Sequence, residues 1–412
     1  MPDASPRYTV AAVQAAPVFL DRDACVEKAV RLIGEAGERG ARLIVLPETW
    51  IPGYPFWTNA VSKWNYAPVK KAYARLYRNA VDVPGPVTEE LGRAAKRASA
   101  YVVVGVHERV ATGTLYNTLV FLGPDGTLLG KRRKLVPTYH ERMVWGMGDG
   151  STLEVFDTAI GRLSGLICWE HYIPLARYAL EAEGMQVAAS VWPSAGETFL
   201  VAARHLAHEG RCFVVAAASV MTRSDVPADF ELRKEMEALT DPLAFGGSAV
   251  IGPDGKFLAG PVYEREEIVT ADVDLDRILE EKQTLDVAGH YARPDVFRLL
   301  VDRAAREPVA DVLGRDLVAA EGTRGSTNAG AIPSFAPLKD RELPLRDGQT
   351  QVTPVQAGVA PESDADRLRE ELGRLVALAD VTPAEELRDA LKWLAASYEI
   401  QPARRDAEPP FG

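Results

Sequence analysis

The sequence predicts an α/β fold built from two similar halves, on three observations. Strand-like apolar runs alternate with helical patterns from Tyr8 onward. Several runs, such as residues 43–46, 101–106 and 186–191, are apolar almost throughout, as expected of strands buried on both faces. The third observation is an internal echo: residues 117–130 and 248–260 each read as a strand, a Pro-Asp-Gly turn and a second strand. In both turns proline presets φ and glycine takes the position that needs positive φ. Two such hairpins, each following α/β material, imply a pseudo-twofold architecture.

Residues 8–16 alternate into a buried strand, and residues 21–37 carry a helical apolar pattern through Ala24, Val26, Ala29, Val30 and Ile33. With the strand at 43–46 they form a βαβ opening. Residues 50–66 form a proline-rich aromatic loop holding Tyr54, Phe56, Trp57 and Trp64. A helix is expected at 88–100 and a strand at 101–106. Residues 162–167 read as a buried strand that breaks at Cys168 into a helix opened by Pro174, in the first turn where proline is tolerated. Further on, residues 186–191 are a strand, 199–210 a helix, 211–218 a strand, 268–273 the last strand and 276–283 a short helix. Cys25 and Cys212 fall in apolar patterns and read as packing residues.

Three strand ends carry chemistry. Glu48 follows Pro47 at the end of the first, an acidic group in an apolar neighbourhood. Lys134 closes the basic run 131–134; Lys131, Arg132 and Arg133 read as a solvated run, whereas Lys134 precedes the apolar pair Leu135-Val136. Cys168 sits at a strand-to-helix junction, where helix N–H groups or a basic partner would favour its thiolate; alone, it reads more readily as a small buried hydrophobe, and the other two strand ends overturn that reading. Carboxyl ends of strands are where sites assemble in open α/β folds. A carboxylate, an amine and a thiol on three such ends form a set.

With those residues in view, the chain resembles the nitrilase family of the carbon–nitrogen hydrolase superfamily. The resemblance rests on Leu46-Pro47-Glu48-Thr49, Arg133-Lys134-Leu135-Val136-Pro137-Thr138 and Cys168-Trp169-Glu170. Glu141-Arg142, Trp145-Gly146, Gly148-Asp149-Gly150-Ser151 and the stretch from Gly289 to Asp295 fit as well, so that the similarity runs over about residues 8–306. Cys-Trp-Glu looks like the nitrilase branch; amidase branches more often have another residue and then an aspartate after the cysteine. The resemblance implies a four-layer α-β-β-α sandwich whose protomers pair and extend into spirals. It also implies catalysis by Glu48, Lys134 and Cys168, with Glu141 as a fourth member; from spacing alone Glu141-Arg142 reads equally as a surface ion pair.

In that scheme Cys168 attacks a nitrile carbon, Glu48 moves protons, and Lys134 stabilises charge on nitrogen and then oxygen. Tyr54, Trp57, Trp145, Trp169, Trp192 and Phe199 lie near these positions in sequence and are candidate pocket walls, or plain core. An aryl or arylalkyl nitrile is the expected substrate. An amidase or carbamoylase, a cyanide-degrading enzyme and an inactive oligomeric scaffold are the alternatives. His140 and His171 flank the site without metal-ligand spacing, and no phosphate loop or dinucleotide fingerprint occurs, so neither metal nor organic cofactor is expected.

Composition bounds the rest. A net charge of −11 argues against nucleic acid or anionic membrane as partner. Three unpaired cysteines suit a reducing compartment, and residues 1–7 lack the pattern of a signal peptide, so a cytoplasmic protein is expected. The hydrolase domain is assigned to residues 1–306. Residues 307–362 read as a Gly/Pro-rich linker or strap, and 363–412 as two amphipathic helices, capped at Ser363 and Thr382. Such apolar faces need a partner, which points to a homo-oligomer.

Overall fold

The structure, a computed structural model, describes residues 5–306 except Trp64; the expected linker and C-terminal helices lie outside the described residues. The first half runs β1 (Arg7–Gln14), α1 (Arg22–Glu38), β2 (Ala41–Val45), α2 (Ala67–Asn79), α3 (Pro86–Ala98), β3 (Tyr101–Arg109), β4 (Leu115–Leu122) and β5 (Leu128–Arg133). The second runs β6 (Phe156–Thr158), β7 (Gly161–Ile167), α4 (Pro174–Ala182), β8 (Val187–Trp192), α5 (Glu197–Gly210), β9 (Phe213–Ala218), β10 (Val220–Met221), α6 (Arg233–Met236), β11 (Ala244–Ile251) and β12 (Phe257–Tyr263). Strand β13 (Glu267–Asp274) and helix α7 (Asp276–Lys282) follow. No described helix is long and apolar enough to cross a membrane.

The strands form two sheets with one topology. The first has the order β13-β1-β2-β3-β4-β5; the second contains β6-β7-β8-β9-β11-β12, with β10 added beside β11. In the first, β1, β2 and β3 are parallel; in the second, β7, β8 and β9 are parallel. The two Pro-Asp-Gly hairpins, β4–β5 and β11–β12, repeat the same turn bonds: Gly126 N–H to Gly123 O and Gly255 N–H to Gly252 O, with Gly126 at φ +91° and Gly255 at φ +78°. The internal echo is thus a structural repeat.

Period-two alternation sorts the side chains into layers. Val10, Leu43, Val103 and Phe121 of the first sheet meet Ile167, Val191, Phe213 and Val250 of the second in the central core. The opposite faces, through Ala11, Ile44 and Val102, pack on Ala29, Ile33, Leu91 and Ala95 of α1 and α3. Leu166, Ala188 and Val214 likewise pack on α4 and α5. This is the α-β-β-α sandwich. Burying each large aliphatic side chain contributes roughly 1.5–3 kcal/mol. Helix α1 begins where the Asp21 side chain accepts the Ala24 N–H at 3.0 Å, and it lies so close to α3 that a Cβ on Gly37 would stand 2.8 Å from Ala98 Cβ.

Three expectations need correction. Helix α2 was not among the predicted elements, although Val69, Ala72, Tyr73, Leu76 and Tyr77 fall at helical spacing on one face and pack in one core cluster. Strand β7 does not turn directly into a helix: a 3₁₀ turn, Cys168–Tyr172, intervenes before α4. The basic run is not solvated. Alternation along β5 sends Arg132 inward onto Glu170 at 2.6 Å, and Lys131 and Arg133 to the other face, both onto the buried Glu108.

Candidate active site

Each strand end brings one group inward. β2 closes with Leu46 N–H on Val103 O (2.8 Å), and Pro47 then turns the chain so that Glu48 is fully buried. The turn fits only because residue 105 on β3 is glycine: a Cβ there would lie 2.2 Å from Pro47 O and 2.5 Å from Thr49 N. β5 ends as Lys134 N–H bonds Asn117 O (2.8 Å), leaving the ammonium in the core. β7 ends at Cys168, whose φ of +53° is rarely adopted by a residue with a side chain.

The groups converge. Lys134 Nζ donates to Glu48 Oε1 at 2.9 Å and to Glu141 Oε2 at 2.7 Å. One oxygen of each carboxylate and Cys168 Sγ lie within 4.8 Å of one another. Such a set has metal-ligand spacing, but the cation these carboxylates share is the protein's own ammonium. Glu141 is therefore no surface residue; Tyr54 OH donates to its Oε1 (2.6 Å) and Thr138 N–H to its Oε2 (2.6 Å), while Arg142 turns to Pro137 O (3.2 Å).

Burial pushes the Glu48 carboxyl up to about 7, against the pull of Lys134. Burial also opposes the Lys134 charge, but Glu48, Cys168 and Glu141 outweigh it and hold the lysine above its usual value. At Cys168, burial and then the Glu48 charge raise the thiol well above its ordinary range, although Lys134 opposes them. This corrects the expectation of a favoured thiolate: the resting group is a thiol, and it needs a base as it reacts.

Two positioning groups were not read from the sequence. Asn117 Nδ2 donates to Glu48 Oε1 at 2.7 Å, and Glu48 Oε2 has no hydrogen-bond partner among the described residues. Glu170 Oε2 accepts from Ile167 N (2.9 Å) and Arg132, while its Oε1 accepts from Leu135 N (2.7 Å). It therefore ties the turn carrying Cys168 to the strand end carrying Lys134. A buried amide in the apolar run 117–122 and a carboxylate two residues past the cysteine were the available signals, since buried polar groups demand partners.

A cavity of about 570 Å³ opens over Cys168 and Glu141, walled by Tyr54, Phe56, Trp169 and Phe199, with Asn59 and His140 among its polar groups. Trp57, Trp145 and Trp192 do not line it. Trp57 packs on Phe19 and Phe230 in the adjoining core; Trp145 donates to His107 Nδ1 (3.0 Å) and lies 5.7 Å from Lys134 Nζ; Trp192 stacks behind His171. All three are buried; Trp145 packs on Tyr54 and Trp192 on Phe199, both of the cavity wall.

The sequence profile of the carbon–nitrogen hydrolases matches residues 9–283. The chain belongs to the carbon–nitrogen hydrolase family. Within it, similarity is to enzymes named nitrilases. An aliphatic nitrilase of Sinorhizobium fredii is 42% identical over 307 residues, covering 74% of this chain and 98% of that protein. A bifunctional nitrilase/nitrile hydratase NIT4A of Lupinus angustifolius is 41% identical over 311 residues, covering 74% of this chain and 89% of the relative. The fold of this carbon–nitrogen hydrolase also matches the crystal structure of Saccharomyces cerevisiae Nit3, a member of the nitrilase superfamily. There the TM-score is 0.57 at 21% identity, covering 70% of this chain and 97% of the other.

Proposed function

We propose that the protein hydrolyses an organic nitrile, of aryl or arylalkyl type, to a carboxylic acid and ammonia, with Glu48, Lys134, Cys168 and Glu141 as the catalytic set. The observation that carries this reading is the Lys134 ammonium bridging two buried carboxylates, within 4.8 Å of which lies a nucleophile.

The chemistry follows from the protonation states. Glu48, ionised in part near neutrality, takes the Cys168 proton as Sγ bonds to the nitrile carbon. One C–N π bond breaks, its electron pair goes to nitrogen, and Glu48 returns the proton there to give a thioimidate. Lys134 spends two protons on the carboxylates and has a third for the developing charge. Glu48 then deprotonates water, which adds to the thioimidate carbon, and passes that proton to nitrogen; the hydroxyl proton of the tetrahedral adduct follows it through Glu48 as the carbonyl forms, the C–N bond breaks and ammonia leaves. The thioester that remains is cleaved by a second water, restoring the thiol. Glu141, held by Tyr54 and the Thr138 N–H, keeps Lys134 in place.

The aromatic walls of the 570 Å³ cavity support an aryl or arylalkyl side chain. One relative named above is an aliphatic nitrilase and another a bifunctional nitrilase/nitrile hydratase, so side chain and product both need measuring. The test is acid, amide and ammonia release from an aryl nitrile, an arylacetonitrile, an aliphatic nitrile, cyanide and a matching amide. Acid from the aromatic nitriles supports the reading; turnover of the amide alone would make the protein an amidase. An amide product from nitriles would mean that the tetrahedral adduct expels the thiol rather than ammonia. We also propose a homo-oligomer assembled through the amphipathic segments after Ser363. Truncation after Ala360 should change the particle size by light scattering, and an unchanged particle would refute that role.

A further inference from the structure

Cys168 holds a left-handed backbone, and something must keep it there. Its carbonyl is caught by His171 Nδ1 at 2.6 Å. Because a carbonyl oxygen only accepts, Nδ1 carries the proton and Nε2 the lone pair. Ser190 Oγ lies 2.8 Å from Nε2 and donates to it, while Ser190 Oγ in turn accepts Trp192 Nε1–H at 2.8 Å. The chain of donors therefore runs one way: Trp192 to Ser190 to His171 to the Cys168 carbonyl. All three side chains are buried. Burial pushes the imidazole down to about 3, so it stays neutral at working pH.

The ring is fixed on its faces as well. His171 stacks on Trp192 (4.5 Å between centroids, 26° between planes), and Trp192 stacks on Phe199 (5.5 Å, 15°), which walls the cavity. Its backbone is pinned separately, as Arg177 NH1 donates to His171 O at 2.7 Å. None of these groups reaches the reacting atoms through the scheme above. The arrangement has no proton to relay and no charge to supply; what it controls is geometry.

We propose that His171 is a positioning residue, locked by Ser190 and Trp192 in the one tautomer that can hold the Cys168 carbonyl and so aim the thiol at the cavity. This rests on Cys168 being the nucleophile. The test uses the full-length protein and reads nitrile kcat and KM together with the rate of Cys168 alkylation by iodoacetamide, located by mass spectrometry. His171→Ala should lower kcat about 10- to 100-fold with KM little changed, as expected for loss of a buried hydrogen bond. His171→Asn, whose amide N–H occupies the place of Nδ1–H, should recover most of that loss. Ser190→Ala should lower kcat several-fold and decides the matter if His171→Ala fails to fold. Alkylation should slow in step with kcat. Equal losses in the Asn and Ala variants, or unchanged kcat in Ser190→Ala, would overturn the proposal. Slower alkylation in His171→Ala with no nitrile turned over by the wild type would support the positioning and sink the nitrilase reading instead.

Discussion

Replacing Lys134 with methionine keeps the volume of the stem and removes the one cation between Glu48 and Glu141. Two charge-assisted bonds, at 2.9 and 2.7 Å, are lost in a fully buried setting. Removing one partner of a buried ion pair costs about 3–5 kcal/mol of stability, and removing a donor from developing charge costs about 3–4 kcal/mol of transition-state stabilisation, a factor of roughly 10²–10³ in kcat. A second effect compounds the first. Lys134 is the main influence holding the Glu48 carboxyl down, so without it that group rises above about 7 and is protonated at neutral pH. We expect Lys134→Met to lose at least about 10³-fold in kcat/KM at pH 7, and to regain part of it towards pH 9. Ammonia release from an aryl nitrile across pH 6–9, with thermal melting alongside, measures both. Adding Glu141→Gln should recover some melting temperature without recovering rate, because one uncompensated carboxylate is gone. A single variant retaining more than about a tenth of wild-type kcat/KM would refute the placement of this cation at the reacting atoms.

The wild-type pH profile should show an acid limb near pH 7, since a base whose folded pKa is raised to about 7 is protonated below that value and ionised above it; a limb in the ordinary carboxylate range, about 4.3, would exclude Glu48 as the base. Cys168→Gly should melt higher than Cys168→Ala, because φ of +53° costs a residue with a Cβ about 1–2 kcal/mol and costs glycine little; equal melting temperatures would mean the turn carries no strain. Gly105→Ala should cut kcat about tenfold or more by pushing the Pro47–Thr49 turn, and a wild-type rate would show that the turn yields without moving Glu48.

What could be read from the chain were features written in neighbouring residues. The strand ends at Pro47 and Lys134, the junction at Cys168 and the twin Pro-Asp-Gly turns are local in this sense. The groups that complete the site are not. Asn117 finds Glu48 across 69 residues, and Glu170 finds Leu135 across 35. Only the layer packing brings these partners together. The thiol's protonation state was misread for the same reason, because both the burial that chiefly raises it and the Glu48 charge that adds to this come from the packing of other strands. Aromatic residues could not be sorted either. Tyr54, Trp169 and Phe199 wall the cavity while Trp57, Trp145 and Trp192 stand behind it, and apolar rings are equally at home in both places. The basic run failed on parity: a strand alternates its faces, and Arg132 falls on the inner one.

The repeat described by the two sheets divides the chemistry between them. Glu48 and Lys134 hang from strands of the first sheet, and Cys168 from the second. Neither sheet owns the whole set: the first carries the base and the cation, the second the nucleophile. The set is complete only where the two sheets face each other, with Glu170 stitching across the seam. The counterpart of the Pro47-Glu48 corner after β8 is Pro193-Ser194, where the proline recurs and the corner lines the cavity instead of supplying a base.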